Sequence, residues 1–345
     1  MNRQVQIWIS AVAGLALVAV LVLAASASAG PPPPVASAAQ PCVAPAAAAW
    51  DSSWVPITRH QTITFAHNVG GDPDDYAVEL WFQDLDGGLG INRRGYGGLE
   101  VNGHWFGAHW QNLTANTIQV YRNSHDNAAD RVRVRVWEVP DPPDYDSGWT
   151  DINPGEMITL SHSVGVTPTD LTVGLWFSSS LRGIHHFAFG GLAVDGPQKM
   201  LGAHWQNLTT DTIEVFRHPH DTDIEQVRVI VVAGDAPDYD SGWQSVMTDT
   251  KVTLTHGLNL APELLLARGE CYDPTGGRGI NQLFAGGNHD WLNGGQFQGA
   301  SLQNLTNNTV AVFRERDDEF CPQFRVRIWK RGNVVYLPLV VQNFQ

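Results

Sequence analysis

Positive charge is scarce in this 345-residue sequence, which has 21 Lys and Arg against 35 Asp and Glu and a formal net charge of −14. Binding to a nucleic-acid backbone needs a basic surface, so we expect no nucleic-acid partner. Charged residues make up only 16% of the chain and its glycines follow no triplet period, which excludes a coiled-coil rod and a collagen-like fibre. The hydrophobic fraction of 43% is too high for a disordered chain.

Known catalytic motifs are also missing from the sequence. The sequence contains no Gly-x-Ser-x-Gly elbow and no Cys and His couple at a shared position. Glycoside hydrolysis needs two carboxylates that face one bond, and one of the two acids that recur along the chain is expected in a turn. We therefore expect a protein without enzymatic activity.

The N terminus has the pattern of a secretory signal peptide over residues 1–29. A short positive end precedes an apolar run from Ile7 to Ala25, and small residues lead to a cleavage point after Ala29. An uncleaved membrane anchor is the alternative, because the run approaches spanning length. A Pro/Ala-rich linker follows over 30–49. The pattern predicts a secreted or cell-surface protein with no transmembrane segment after cleavage.

Export bears on the three cysteines. In an oxidising compartment a disulfide between Cys271 and Cys321 is expected, and Cys42 in the linker is left as an unpaired thiol.

Three copies of one unit follow the linker, with four motifs repeated in the same order about 95 residues apart. The motifs are Asp-Ser-x-Trp (ending at Trp54, Trp149 and Trp243), Gly-Ile (from Gly90, Gly183 and Gly279), Gly-Gly (from Gly97, Gly190 and Gly286) and Asn-Leu-Thr (from Asn112, Asn207 and Asn304). We predict repeat 1 over 50–143, repeat 2 over 144–237, repeat 3 over 238–332 and an apolar C-terminal tail over 333–345.

Hydrophobicity alternates with a period of two within each repeat. The segment from Arg131 to Trp137 is Arg-Val-Arg-Val-Arg-Val-Trp, which is typical of an antiparallel strand with valines inward and arginines outward. Gly and Pro clusters mark the turns between such strands, and no amphipathic helix of three turns is found. The pattern predicts an all-β fold of three tandem antiparallel β-sandwich domains, each with its own core.

Each repeat resembles the H-type lectin domain, an antiparallel β-sandwich that binds galactose-type sugars. In repeat 2 the likeness lies in the opening Tyr145–Trp149, the strand Ile158–Leu160, the strand Val173–Phe177 and the segment Asn207–Val215. A Gly- and aromatic-rich insertion over 183–200 departs from that pattern. Because members of the family form trimers, the resemblance implies that three tandem repeats could build a pseudo-trimer within one chain.

A His-Trp pair supplies the first candidate binding residues. His109 and Trp110 recur as His204 and Trp205, whereas repeat 3 has Ser301 and Leu302. An exposed indole could stack on sugar C–H groups while the histidine donates a hydrogen bond. In the alternative interpretation the tryptophans fill the core, as a smaller leucine does in repeat 3.

An Arg/Asp pair after a recurrent strand supplies the second set: Arg122 with Asp126, and Arg217 with Asp221. A carboxylate and a guanidinium suit sugar hydroxyls, but the same residues could form an internal ion pair that braces a hairpin. No His or Cys spacing supports zinc. Acid clusters at Asp72–Asp75 and Asp84–Asp86 could hold Ca²⁺ or could be solvated turns.

Triplication favours binding over catalysis, because weak sites gain avidity when they are linked. The sequence therefore predicts an exported, multivalent carbohydrate-binding protein that recognises cell-surface or matrix glycans. The alternative is a structural or adhesive surface stalk without a defined ligand.

Overall fold

The computed structural model describes residues 49–331, apart from 102, 140–142, 195–198, 235 and 291–295. The predicted signal peptide, almost all of the linker with Cys42, and the C-terminal tail lie outside the described residues. The predicted all-β class is confirmed: across the described ranges the regular elements are β-strands and three short 3₁₀ helices, Pro73–Asp75, Pro168–Asp170 and Pro262–Leu264.

Within the described residues each repeat contributes ten strands in the same order. Repeat 1 has β1 (Trp50–Asp51), β2 (Val55–Pro56), β3 (Thr62–Ala66), β4 (Tyr76–Gln83), β5 (Ile91–Asn92), β6 (Leu99–Val101), β7 (His104–Phe106), β8 (Ala108–Gln111), β9 (Thr117–Arg122) and β10 (Arg131–Glu138). Repeat 2 has β11 (Tyr145–Asp146), β12 (Thr150–Asp151), β13 (Met157–Ser161), β14 (Leu171–Ser179), β15 (Gly183–His185), β16 (Leu192–Val194), β17 (Lys199–Leu201), β18 (Ala203–Gln206), β19 (Thr212–Arg217) and β20 (Gln226–Ala233). Repeat 3 has β21 (Tyr239–Asp240), β22 (Gln244–Ser245), β23 (Thr250–Thr255), β24 (Leu265–Asp273), β25 (Gly279–Asn281), β26 (Asn288–Asp290), β27 (Gln296–Gln298), β28 (Ala300–Gln303), β29 (Thr309–Arg314) and β30 (Gln323–Lys330).

Strand pairing is the same in all three repeats. In repeat 1, β1, β10, β4 and β5 are neighbours in one sheet with β2 also on β10, β3-β9-β8 form a second sheet, and β6-β7 form a separate hairpin. The valines of β10 that alternate with arginines, Val132, Val134 and Val136, are fully buried in the core. Alternation therefore places one face of each long strand inside a sandwich, as its period predicts.

The opposite face of β10 is buried as well, which differs from the prediction that its arginines face outward. Arg135 donates to the backbone oxygens of Glu263 (2.9 Å) and Leu265 (2.8 Å) in repeat 3. Arg325 in β30 likewise donates to Thr169 O of repeat 2 at 2.8 Å. A neighbouring repeat covers this face, and the guanidinium groups satisfy its free carbonyl oxygens.

Two of the recurrent sequence motifs form one contact between repeats. Asn112 N of repeat 1 donates to Arg182 O of repeat 2 at 2.8 Å, beside the Gly-Ile pair that opens β15. The same bond joins Asn207 N to Arg278 O and Asn304 N to Leu89 O, each at 2.8 Å. Repeat 1 therefore contacts repeat 2, repeat 2 contacts repeat 3, and repeat 3 returns to repeat 1.

The Gly-Gly motifs form a second set of cyclic contacts. Gly97 O accepts from Ala188 N (2.8 Å), Gly190 O accepts from Phe284 N (2.7 Å), and Gly286 O accepts from Gly95 N (2.9 Å). Gly97 has φ 85°, and a Cβ on it would lie 2.7 Å from the Phe189 nitrogen. Glycine is needed there both for the left-handed backbone and for the close approach of the next repeat.

The Asp-Ser-x-Trp openings combine a turn with an inter-repeat contact. Asp146 accepts from Gly148 N at 2.8 Å, which is the turn expected of this motif. Trp149 Nε1 donates across the junction to Asp74 of repeat 1 at 2.9 Å, and Trp54 Nε1 donates to Glu263 of repeat 3 at 3.1 Å. These tryptophans are half-buried between repeats rather than anchored in one core.

The described residues all fall in one compact unit of the chain. The largest buried hydrophobic cluster runs from repeat 1 into repeat 2 and includes both Trp110 and Trp205, with Ile280 and Ala285 of repeat 3 packed against it. A second cluster, formed by repeat 3 together with Trp81 of repeat 1, contains the predicted disulfide between Cys271 and Cys321, which is confirmed. Each repeat keeps its own sheets, but the cores are continuous between repeats.

Candidate functional site

The predicted sugar-stacking role of Trp110 and Trp205 is wrong, because both indole rings are fully buried in the core. Their ring nitrogens are satisfied internally: Trp110 Nε1 donates to Tyr96 Oη at 3.1 Å and Trp205 Nε1 donates to Gln282 Oε1 at 2.8 Å. Leu302 is buried at the equivalent position of repeat 3. Adjacent residues of a strand point to opposite faces, so the His-Trp pair cannot present both side chains to one ligand.

The Arg/Asp pairs are internal braces, which corrects their predicted role in ligand binding. Arg122 Nε lies 2.7 Å from Asp126 Oδ2, both side chains are buried, and Arg122 Nη1 donates to Ile57 O at 2.7 Å. Asp126 also accepts from Gly107 N (2.8 Å) and Ala129 N (2.9 Å). These bonds leave the carboxylate little capacity for a ligand.

Repeats 2 and 3 contain the same brace. Arg217 Nε lies 2.9 Å from Asp221 Oδ2, and Arg314 Nε lies 2.7 Å from Asp318 Oδ2. The pair is present at every repeat irrespective of what surrounds it, so it stabilises the loop between the last two long strands.

A cleft of about 570 Å³ lies where repeat 1 meets repeat 2. We call it the junction cleft; its lining residues are His60, Thr62, Trp105, His109, Gln111, Tyr121, Asn123, Ser124, Arg182 and Phe187. Arg182 and Phe187 come from repeat 2 and the other residues from repeat 1. The volume falls within the range of roughly 300–1,000 Å³ that is usual for small-molecule sites.

The three-stranded sheet of repeat 1 forms the floor of the junction cleft. Thr62 in β3 pairs with Tyr121 in β9, which in turn pairs with His109 in β8, so the three side chains form one cross-strand row. Tyr121 Oη lies 2.9 Å from Nδ1 of the exposed His60. His109 is the one residue of the predicted set that lines this cleft.

A hydrogen-bonded chain orders the polar wall of the junction cleft. Gln111 Oε1 accepts from Arg182 Nη1 at 2.7 Å and lies 3.3 Å from His109 Nε2. Burial lowers the pKa of His109 to about 3, with a further contribution from the charge of Arg182. The imidazole is therefore neutral at physiological pH and donates from Nε2 to Gln111.

Aromatic rings form the other wall. Trp105 is stacked on Phe187 with ring centroids 6.3 Å apart, and Phe187 also contacts His109 edge-on at 5.0 Å. The Arg182 guanidinium lies 4.1 Å from the Phe187 centroid. The cleft thus places aromatic surface beside fixed hydrogen-bonding groups.

The equivalent positions between repeats 2 and 3 are more apolar. The floor row there is Met157, Phe216 and His204. Met200 and Leu283, which correspond to Trp105 and Phe187, are buried in a cluster with Phe320 packed against it. His204, the remaining predicted residue, is buried with its Nδ1 3.3 Å from His218 Nε2. Its environment is a packed histidine pair rather than a surface site.

Between repeats 3 and 1 the chemistry changes again. The floor row is Lys251, Phe313 and Ser301. Glu315, at the position of Asn123, forms an ion pair with Arg94 at 3.6 Å, and burial raises the pKa of its carboxyl to about 7. The three junctions therefore share a backbone arrangement and differ in their side chains.

The acid clusters considered for Ca²⁺ are engaged with their own loops. Asp72 accepts from Asp74 N at 3.0 Å, and Asp84 accepts from Gly87 N (2.7 Å) and Leu89 N (2.9 Å). Among the residues that the structure describes, no group of three His, Cys, Asp or Glu side chains is placed to hold a metal ion.

Trp105, Gln111, Tyr121, Arg182 and Phe187 were not among the predicted site residues. Phe187 lies in the insertion that departs from the lectin pattern, and Arg182 directly precedes it. No spacing within repeat 1 indicates that residues of repeat 2 complete its cleft.

Comparison with protein families, curated proteins and solved structures finds no match to this chain. In the described part of the chain no helix is long and apolar enough to span a membrane.

Proposed function

We propose that this protein is an exported carbohydrate-binding protein and that the junction cleft between repeats 1 and 2 is its binding site. The observation that carries the proposal is the pairing of a stacked aromatic wall, Trp105 and Phe187, with the ordered polar group of His109, Gln111 and Arg182. Sugars present apolar C–H faces and directional hydroxyl groups, which require this combination of surfaces.

This single cleft replaces the binding site that the sequence predicted on each separate repeat. Burial of Trp110 and Trp205 removes the stacking surface on which such sites depended. The cyclic contacts between repeats support a pseudo-trimer within one chain, with ligand-binding surface formed where two repeats meet. Because the side chains of the three junctions differ, the proposal assigns carbohydrate binding to the junction between repeats 1 and 2.

A structural role in a surface stalk is the second candidate. The buried tryptophans and the continuous core favour it, since they show that the recurrent motifs hold repeats together. The two candidates make opposite predictions for glycan binding after substitution of Trp105, the half-buried aromatic residue of the junction cleft.

Trp105→Ala tests the proposal. We expect at least about a tenfold loss of affinity for the glycans that the mature chain binds on a glycan array, because the stacking face is removed. The matched control is Phe297→Ala, since Phe297 is the equivalent half-buried aromatic residue in β27 of repeat 3. The control should retain binding.

Two results would contradict the proposal. One is a folded mature chain that binds no glycan on the array, which would leave the structural role. The other is equal loss in the Trp105 and Phe297 variants, which would place binding elsewhere. His109→Ser provides a second cleft variant that the fold should tolerate, because Ser301 occupies the same position in repeat 3.

A further inference from the structure

The charge around the junction cleft is unlike that of the chain as a whole. The sequence has an excess of acids, with a net charge of −14, yet the ten lining residues include no Asp or Glu. They include one guanidinium, that of Arg182. A site for neutral sugars could use the carboxylates that are abundant in this sequence, since these accept paired hydroxyl groups well.

Two acceptors hold the guanidinium of Arg182 in place. Its Nε forms an ion pair with Asp223, a buried residue, and its Nη1 donates to Gln111. The plane lies over the Phe187 ring, which restricts its rotation. Nη2 donates to no acceptor in the part of the chain that the structure describes, and the side chain is 24% exposed. The terminal edge of the guanidinium is therefore available to a ligand.

Pairing with Asp223 does not prevent a second anionic contact. Arg122 of repeat 1 contacts two carboxylates at the same time. Its Nε lies 2.7 Å from Asp126 and its Nη2 lies 3.4 Å from Asp130. A guanidinium presents five N–H donors in a planar fork, so one edge can be fixed by the protein while the other receives an oxyanion.

The corresponding positions at the other junctions differ in their surroundings. Arg278 is equivalent to Arg182 and also pairs with a buried carboxylate, that of Asp273 at 3.5 Å, and lies over Phe320, but Met200 and Leu283 stand there in place of the Trp105 and Phe187 wall. At the junction of repeats 3 and 1 the position is Leu89, and Glu315 contributes a carboxyl group instead. Among the described residues, the junction of repeats 1 and 2 is therefore the one that combines a guanidinium with the Trp105 and Phe187 wall.

We propose that the ligand of the junction cleft is an acidic saccharide whose anionic group binds the free edge of the Arg182 guanidinium. This inference rests on the proposed function and specifies its ligand class. The sugar ring stacks on the Trp105 wall while an oxygen of its carboxylate or sulfate group accepts from Nη2, since Nη1 already donates to Gln111. Carboxylated and sulfated sugars present the same oxyanion chemistry to such a fork.

The test measures affinity by calorimetry with the full mature chain and paired probes: lactose against sialyl-lactose, digalactose against digalacturonate, and dextran against dextran sulfate. We expect an acidic probe to bind at least about tenfold more tightly than its neutral partner at low salt, with the preference reduced by added salt. The carboxylated and sulfated pairs show which anion is preferred.

Arg182→Gln should abolish the preference for the acidic probe, and Arg182→Lys should retain part of it, because the charge remains without the fork. Arg278→Gln is the matched control at the next junction and should have no effect. The thermal unfolding temperature of each variant shows whether a loss of affinity comes from destabilisation by the unpaired Asp223 carboxylate. If Arg182→Gln fails to fold, the lysine variant decides, since it keeps a cation beside Asp223.

Equal binding of neutral and acidic probes, with Arg182→Lys unaffected, would overturn this inference and leave the carbohydrate-binding function standing. Binding of no saccharide by the folded chain would overturn both.

Discussion

Buried histidines are the titratable side chains most strongly altered by this fold. Burial lowers the pKa of His185 to about 2, those of His109 and His186 to about 3 and that of His204 to about 4, and it holds the pKa of His218 well below its usual value. Most of these imidazoles lie where repeats meet: His186, for example, is 2.7 Å from Tyr96 Oη of the neighbouring repeat. They are packed as neutral polar groups.

The free energy of unfolding should therefore fall as the pH is lowered from 7 to 5. Between these values the unfolded chain takes up protons on histidine, whose unperturbed pKa is near 6.5, while the folded chain does not. Each fully buried histidine contributes a loss of about 2 kcal/mol at pH 5. Urea denaturation at both pH values measures the effect, and His109→Ser should reduce the slope by one histidine's share.

Glu315 has the opposite effect on the pH dependence of the free energy of unfolding. Its carboxyl pKa is raised to about 7 by burial, so its contribution to stability is present below the unfolded value of 4.5 and is lost as the pH rises through 7. Because five histidines oppose one glutamate, acidification should destabilise the protein. Greater stability at pH 5 than at pH 7 would show that the histidines are hydrated or paired in solution.

Among the elements, the loop that connects the last two long strands of each repeat depends on one buried ion pair. Arg122→Gln removes the cation from a carboxylate that is nearly inaccessible, and we expect a loss of about 3–5 kcal/mol in the free energy of unfolding. Arg316→Gln is the matched control, because its pair with Asp317 is exposed and should contribute below about 1 kcal/mol. Unchanged stability of Arg122→Gln together with lost saccharide binding would restore this residue as a ligand contact.

The individual strands were predictable from the sequence, but the contacts between repeats were not. The alternation of Val132, Val134 and Val136 indicates a strand whether or not its other face is covered, so it could not show that Arg135 reaches repeat 3. The disulfide between Cys271 and Cys321 was predicted from the expected oxidising compartment, and the structure contains it.

Most of the candidate site could not be predicted from the sequence, because the site depends on contacts between repeats. His109 was identified from the sequence. Trp110, the next residue of the same strand, points to the opposite face and into the core. Arg182 and Phe187 complete the cleft from another repeat. Their place depends on the Asn-Leu-Thr and Gly-Ile motifs meeting across the junction, and a repeat pattern does not show which motifs are partners.

For the whole molecule, the cyclic contacts couple the stability of the three repeats. Backbone hydrogen bonds join each repeat to both others, and the main hydrophobic cluster crosses the boundary between repeats 1 and 2. We expect differential scanning calorimetry of the chain without its predicted signal peptide to show one transition whose calorimetric and van't Hoff enthalpies agree. Separate transitions for the three repeats would contradict this coupling.

Gly97→Ala provides a matched comparison for the same experiment. It places a Cβ against the next repeat, whereas Gly148→Ala introduces a similar positive-φ strain in open space. The Gly97 variant should lower the melting temperature more while the transition stays single.

Covalent linkage of the three repeats also affects how each junction can change. In an assembly of three identical chains, one gene encodes every interface, so a codon change that suits one binding surface is imposed on all of them. Here Asn123 faces one junction, and His218 and Glu315 stand at the same position of the other two. Each surface can therefore diversify by single mutations while the other two preserve the closed assembly.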